Sequence, residues 1–407
     1  MNARYIAVII IIALTINISA QETNSEYRRS SIYSLLINHT DQQFAHEIKE
    51  AFLQIPVPDK FNDHNLSVKV LNLDKKLSKA SRSKENPLIT EFLINNKVAS
   101  RLVGKWFNRD SHTGKCDMEL VKERGLYNAT EFDKQLAARS ARGNALLQDA
   151  GEELIGNTFV IVNDIRYIDK NKRAKVAGSV LKALGTVAAA YTGTNIDDLT
   201  DNLGDMVETL KGFTVKINTF LYKLEWTDEQ AMLFYQEQYA SAPNKEKRNN
   251  FENARSKYNL KYVGKVESSG GTTSFMGIKE DEPIIMVRKA CQRAIDENVV
   301  DLQRNYEEFR TKTPLVTAEP LTAYIGMKEG VTKDSQFEVL EVIEMKDGSH
   351  KYNRVGIIAP IKNLIWDNRF MAQEEGAAGS TLGCTTFHKI SGKDFEKGML
   401  IREMTNK

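Results

Sequence analysis

The sequence predicts an α/β or α+β fold, a mixed-sheet α/β domain followed by a small C-terminal all-β, barrel-like domain. Three observations carry this. The run Thr158-Phe159-Val160-Ile161-Val162 is apolar without interruption, as a strand covered on both faces must be. Amphipathic helical segments alternate with strand-like segments on either side of it, the pattern of a layered α/β domain. From Val316 onward the helical period disappears, and short strands separated by turn residues replace it. The chain accordingly divides into 1–20, a leader; 21–312, an α/β domain with a helical insertion; and 316–407, the β-domain.

The leader carries one charge at Arg4, an apolar run over 6–16 and Ile18-Ser19-Ala20 before a polar chain. This is the pattern of a secretory signal peptide cleaved after Ala20, so that the mature protein begins at Gln21. The apolar run is about half the length that spans a bilayer. No cysteine lies at the cleavage region, which argues against a lipoprotein. The expected location is exported, periplasmic or extracellular, with peripheral attachment to an outer membrane as a further option.

Within the α/β domain, 31–37 reads as a strand and 42–53 as a helix with Phe44, Ile48 and Phe52 at four-residue spacing, ended by Pro56 and Pro58. A strand follows at 66–73 and a Lys/Ser-rich loop at 74–85. Asn86-Pro87 is a helix start, because the Asn side chain can cap free N–H groups and Pro lacks the N–H that would be orphaned there. That helix is expected to run to Phe107. A short strand at 118–121, a helix from about Thr130 and another at 143–155 precede the buried strand.

The segment 176–191 looks like a membrane helix until its positions are separated. Val176, Val180, Leu184, Val187 and Tyr191 form one stripe, Lys182 interrupts the middle, and Gly178, Ala183, Gly185 and Ala188 permit close approach of a neighbour. It reads as a packing helix, and as the contact through which a protein partner or a second copy of the chain would bind. The alternating segment 213–222 returns to the sheet. A charged stretch at 244–257 is a solvated helix or loop, and 261–266 with 272–278 form a hairpin around Ser268-Ser269-Gly270-Gly271. Asp281-Glu282-Pro283 starts a helix with Ile284, Val287, Cys291, Ile295, Val299, Leu302, Tyr306 and Phe309 on one stripe, stopped by Thr313-Pro314. The β-domain strands are expected at 337–343, 354–359, 363–366, 384–390 and 399–403, with a hairpin turn at 346–349 and a mobile Gly-rich loop at 368–383.

Composition bounds function without naming it. The chain has 407 residues, 41% apolar and 27% charged, and a formal charge of +2, so no global field draws it to nucleic acid. The three cysteines, Cys116, Cys291 and Cys384, are too few for a disulfide scaffold, and the odd count leaves at least one unpaired or bridged to another chain. His112 with Cys116 and Cys384 with His388 share a spacing and could in principle supply a zinc ion. Yet the two halves lie in different domains, and Cys384 and His388 would sit about 13 Å apart on a strand. A Cys116–Cys384 disulfide is the other option, and free thiols are the default.

No Gly-x-Ser-x-Gly, phosphate-cradling loop or Gly-x-Gly-x-x-Gly occurs in the sequence. Ser81 and Lys84 match Ser-x-x-Lys inside a loop composed of those residue types. Glu152-Glu153 and Asp197-Asp198 read as solvated helix faces, and Trp366 as core unless it serves a glycan- or peptide-binding surface. Asn38, Asn65 and Asn128 begin Asn-x-Thr/Ser sequons, relevant only in a eukaryotic host. No catalytic, cofactor or metal residue is assigned.

The segment Met118-Glu-Leu-Val-Lys-Glu-Arg-Gly125, the helix after it, and 149–162 resemble the core of curli-assembly-type envelope proteins, a likeness extending over about 66–222. Ala323-Tyr-Ile-Gly-Met-Lys-Glu-Gly330 with Asp334-Ser-Gln-Phe-Glu-Val339 looks like the small β-domain of flagellar-assembly-type envelope proteins. The chain lacks the lipidation Cys of the curli family and any clear membrane-spanning hairpins, so pore formation is not carried over. The resemblance implies an exported, non-enzymatic bacterial envelope protein acting by protein–protein interaction or assembly. The alternatives are a secreted hydrolase with an unrecognised site and a glycan- or peptide-binding module.

Overall fold

A computed structural model describes residues 30–72, 85–128, 152, 154–168, 213–271, 283–344 and 350–404. The expected leader, the loop from 74, the helix from Thr130, most of the helix at 143–155, the helix at 176–191, the strand at 272–278 and the turn at 346–349 lie outside the described residues.

The α/β domain is built around β1 (Ser30–Asn38), whose side chains are buried almost throughout because both faces of the sheet are covered. Helix α1 (Ala45–Leu53) follows and buries Ile48, Ala51 and Phe52. Strands β2 (Phe61–Asp63) and β3 (Val70–Asn72) then pair in parallel with opposite ends of β1. Three helices cross over, α2 (Pro87–Asn95), α3 (Val98–Trp106) and α4 (Glu119–Asn128), before β4 (Thr158–Tyr167) pairs in parallel with the other side of β1. Antiparallel β5 (Thr214–Leu224), helices α5 (Asp228–Glu237) and α6 (Lys245–Ala254) and antiparallel β6 (Leu260–Gly271) complete a sheet of order β2-β1-β4-β5-β6. Helix α7 (Pro283–Asn305) closes the domain.

Alternation along the strands sorts the core into two layers. Leu36, Ile165 and Ile217 meet α1 and α7, with Ile32, Ile161 and Leu221 continuing that face toward Val299 and Leu302. Tyr33, Leu35, Val160, Val162, Phe220 and Tyr222 meet the opposite helices, above all Leu102, Val103 and Trp106 of α3.

The C-terminal strands are β7 (Thr313–Ala318), β8 (Leu321–Ala323), β9 (Phe337–Glu344), β10 (His350–Pro360), β11 (Thr385–Gly392) and β12 (Leu400–Glu403). All pairs are antiparallel, and they close into a barrel of order β10-β11-β8-β7-β12-β9, which leaves no open edge. Leu315, Val339, Ile358, Phe387 and Ile401 pack its apolar core. Arg304 of α7 pairs bidentately with Glu403 at 3.0 and 2.8 Å, and Arg293 reaches the Phe370 carbonyl and Glu375, so the barrel leans on α7. The loop at 368–383 supplies that second contact. No helix among the described residues is long and apolar enough to cross a membrane.

Several elements differ from expectation for local reasons. The strand expected at 118–121 is the start of α4: the Asp117 carboxylate accepts from Glu119 N–H at 3.1 Å, and Met118 and Val121 are buried while Glu119 is exposed. The long helix from Pro87 is two helices. The Asn96 side chain donates to the Phe92 carbonyl, and Lys97 turns left-handed at φ 52°. Of the described residues 66–72, only Val70–Asn72 joins the sheet. Ser268 to Gly271 is not a turn but the end of β6, paired with Thr214 to Ile217. There a β-carbon on Gly270 would lie 2.1 Å from the Ala290 carbonyl oxygen, so α7 approaches the strand where a side chain is missing. Helix α7 stops at Asn305, with Phe309 buried in the 3₁₀ turn beyond it, and Pro314 lies inside β7. The strand expected at 363–366 is a 3₁₀ turn over Lys362–Leu364 followed by extended chain.

Candidate functional site

Helix α3 turns Val98, Leu102, Val103 and Trp106 into the core, and the Trp106 indole N–H donates to Thr158 Oγ at 2.8 Å, anchoring the helix to the start of β4. With that face fixed, Arg101, Gly104 and Lys105 fall on the outer one. Helix α6, capped by Asn244 whose side chain accepts from Lys247 N–H at 2.9 Å, buries Phe251 and Ala254. The expected solvated character of 244–257 therefore holds for one face only. That face carries Glu252 and Arg255 toward α3, and Arg255 Nε donates to Ser100 Oγ at 3.1 Å.

The two helices and the segment around Asn65 enclose a groove of about 480 Å³. Two other cavities among the described residues hold about 40 and 30 Å³, room for little more than water. Four cations line the groove, Arg101, Lys105, Arg109 and Arg255, against the single carboxylate of Glu252. Arg109 Nη1 and Arg255 Nη1 share that carboxylate at 3.3 and 3.0 Å. Arg101 Nη2 donates to Ser67 Oγ at 3.3 Å, and Lys105 Nζ to the Asn65 carbonyl at 2.6 Å.

Arg109 lies over the Phe251 ring at 4.0 Å with 4% of its side chain exposed, and its buried Nε has no acceptor among the described residues. Burial pushes the pKa of both Lys105 and Arg109 down. The groove is thus lined by oriented, partly dehydrated cations with one carboxylate among them, while Asp63 acts on Lys105 from outside the lining. Its chemistry is that of anion binding.

Two further polar constellations are closed on themselves. At the carboxyl ends of parallel β1 and β4, His39 Nε2 lies 2.5 Å from Asp164 Oδ1, and Arg166 Nε donates to the same oxygen at 3.1 Å. His39 is 4% exposed and the Asp164 side chain 8%, while Gln42 ties the loop down through Ile165 and Tyr167 backbone groups. This strand edge, where α/β domains hold ligands, here fastens the entry to α1.

At the other end of the sheet Arg124 is buried over the Trp106 ring at 4.3 Å and donates to Ser31 Oγ, His64 Nδ1 and the Asp63 carbonyl at 2.9, 2.8 and 3.1 Å. Burial lowers its pKa to about 10. His64 Nε2 in turn meets the Leu102 carbonyl at 3.0 Å, which fixes the neutral imidazole. Burial, then Arg124, holds its pKa well below the usual histidine range.

The residues singled out from sequence are dispersed. Cys116 is buried near α3 and its N–H donates to the Ala240 carbonyl, whereas exposed His112 belongs to a turn organised by the Asp110 carboxylate. Cys384 precedes β11 and His388 is exposed on it. All three cysteines are free, and Cys291 is buried in α7 against α1. No group of three or more His, Cys, Asp or Glu among the described residues could hold a metal ion.

Ser81, Lys84, Glu153, Asp197, Asp198 and the 176–191 segment lie outside the described residues. Asn38 donates to Asn72 Oδ1 at the β1–β3 edge, and the side chain of Asn65 accepts from Ser34 N–H. Trp366 is half-buried in extended chain, its backbone N–H donating to Thr385 Oγ. Sequence reading missed the groove cations. The only local signal was Arg101 and Lys105, four residues apart on the polar face of α3 with Gly104 between them.

No family model matches this chain, and comparison with curated proteins finds no match.

Proposed function

We propose that this chain is an exported, non-enzymatic cell-envelope protein that acts by interaction, held to a negatively charged partner through the groove between α3 and α6. The observation that carries the reading is the groove itself. It holds about 480 Å³ and concentrates an excess of three positive charges in its lining, four cations against one carboxylate, on a chain whose formal charge is only +2. The signal-peptide pattern at 1–20 and the resemblance to curli- and flagellar-assembly-type proteins support export and an envelope role. The stripe at 176–191 is proposed as a second contact, through which copies associate.

Expression of the full chain with its own leader tests the reading. Material recovered from the bacterial envelope should begin at Gln21, sediment with that fraction and be released by roughly 0.5 M salt, because exposed charge contacts are screened within a few ångströms there. The double variant Arg101→Glu, Lys105→Glu should move to the soluble exported fraction. Retention of Met1 in the cytosol, or a distribution indifferent to salt and to the double variant, would refute the proposal. For the second contact, Leu184→Glu should dissociate an assembly in the ultracentrifuge while the circular dichroism stays folded.

A further inference from the structure

We infer that the groove between α3 and α6 is a phosphate-binding site whose ligand is held by Arg101, Lys105 and Arg255. This rests on the reading of the groove as the charged contact and assigns its ligand class. The argument begins with unused donors. A guanidinium has five N–H groups, and Arg101 spends one on Ser67 among the described residues, while Lys105 spends one of three on the Asn65 carbonyl. Among the described residues Arg255 pairs with one carboxylate, Glu252, which it shares with Arg109.

The serines orient these groups without neutralising them. Ser100 Oγ accepts from Arg255 and donates its own O–H to the Lys97 carbonyl at 3.0 Å, so it behaves as a strut. Lys105 and Arg109 are held partly dehydrated, so an entering anion meets cations that have already lost part of their hydration.

Charge and shape select phosphate over a single carboxylate. An excess of three charges is matched poorly by one planar group of charge −1, whereas a phosphate offers several acceptor oxygens, up to two charges, and O–P–O edges that fit guanidinium forks. The floor is open because residue 104 is glycine. A β-carbon there would meet only Arg109 Cβ and Phe251 Cζ, both at 3.9 Å, which is ordinary contact. A β-carbon at this position is therefore accommodated without displacing the helix.

The phosphate could be carried by a lipid headgroup or by a soluble or glycan-linked phosphate. Titration of the mature full-length protein with inorganic pyrophosphate, and flotation with vesicles of phosphatidylglycerol in phosphatidylcholine or of phosphatidylcholine alone, separate the two. Pyrophosphate should bind, more weakly as salt rises. Gly104→Glu and Arg101→Gln should each weaken it by about tenfold or more, the loss of one charge-assisted contact. Gly104→Ala should bind as the parent does, and thermal melting should show all three variants folded.

Flotation with phosphatidylglycerol that pyrophosphate competes away supports a lipid source. Pyrophosphate binding without flotation supports a soluble or glycan source. No binding of either, binding indifferent to Gly104→Glu, or tighter binding of a poly-glutamate peptide than of pyrophosphate overturns the inference, the last in favour of an acidic protein segment. Salt-releasable envelope attachment without phosphate binding would sink this inference alone. Phosphate binding without envelope attachment would sink the proposed function instead.

Discussion

Lowering the pH from 6.5 to 5.5 should remove about 1 kcal/mol of stability through His64 alone. The ring is fully buried, one nitrogen is committed to the Leu102 carbonyl as a donor and the other accepts from Arg124 at 2.8 Å. A second ring proton would point at a guanidinium, so the folded state holds the imidazole neutral and its pKa stays well below the 6.5 of the free side chain. Below that value the unfolded chain takes up a proton that the folded chain refuses. Unfolding then binds protons, and stability falls as pH falls, at about 1.4 kcal/mol per unit until the lowered folded value is reached.

Urea unfolding of the parent and of His64→Gln across this range isolates the effect, because contributions of other groups cancel in the difference. Gln can still donate to Leu102 and accept from Arg124, so the variant should cost about 1 kcal/mol at neutral pH. That gap should close by a similar amount at pH 5.5. Parallel stability curves for the two proteins would show that His64 is not held neutral, and the tautomer argument would fail with them.

Two further substitutions probe the packing of α7. Gly270→Ala places a β-carbon 2.1 Å from the Ala290 carbonyl oxygen and 2.9 Å from Ala294 Cβ, so helix and strand must separate; a loss of about 3 kcal/mol or more in urea unfolding is expected, and a change within about 0.5 kcal/mol would refute the close approach. Asp296, 7% exposed and with no hydrogen-bond partner for Oδ2 among the described residues, has its pKa raised by burial from 3.8 to about 7. The folded state keeps a proton that the unfolded state releases, so this group costs stability as pH rises through that interval. Asp296→Asn should therefore stabilise the protein at pH 8, by about 4 kcal/mol at most, with the gain shrinking toward pH 4. A variant less stable than the parent at pH 8 would show instead that Lys328 depends on the ionised carboxylate.

The parts of the fold legible in the sequence were those whose cause is local. The unbroken apolar run of β4 announces a strand buried on both faces, and Asn86-Pro87 announces a helix start whose Asn86 side chain does accept from Leu88 N–H at 3.1 Å. The stripe of α7 likewise reads directly, because one helical period suffices to bury Val287, Cys291 and Leu302. The misread elements were decided elsewhere. Ser268 to Gly271 has turn composition, but the arrival of α7 makes Ser268 donate to the Ala294 carbonyl at 2.8 Å and leaves Gly270 no room for a side chain. Residues 118–121 have strand propensity, and a single carboxylate at Asp117 converts them into the first turn of α4.

The groove is the extreme case of the same distinction. On the sequence, Arg101 and Lys105 are two charges on the outer face of a helix, which solvation explains fully, and Arg255 is one charge in a polar stretch. What changes their meaning is the Arg255–Ser100 hydrogen bond, a contact between residues 155 apart in the chain. It brings Arg255 and the Glu252 carboxylate across from Arg101, Lys105 and Arg109, so that charges on the outer face of one helix become the lining of a groove. No periodicity or spacing rule could have shown this, since each helix satisfies its own amphipathic pattern with or without the other. The groove is a property of the pair, created as Phe251 seats α6 beside α3. Its ligand should therefore be sensitive to any substitution that shifts α6, even one that leaves all four cations in place.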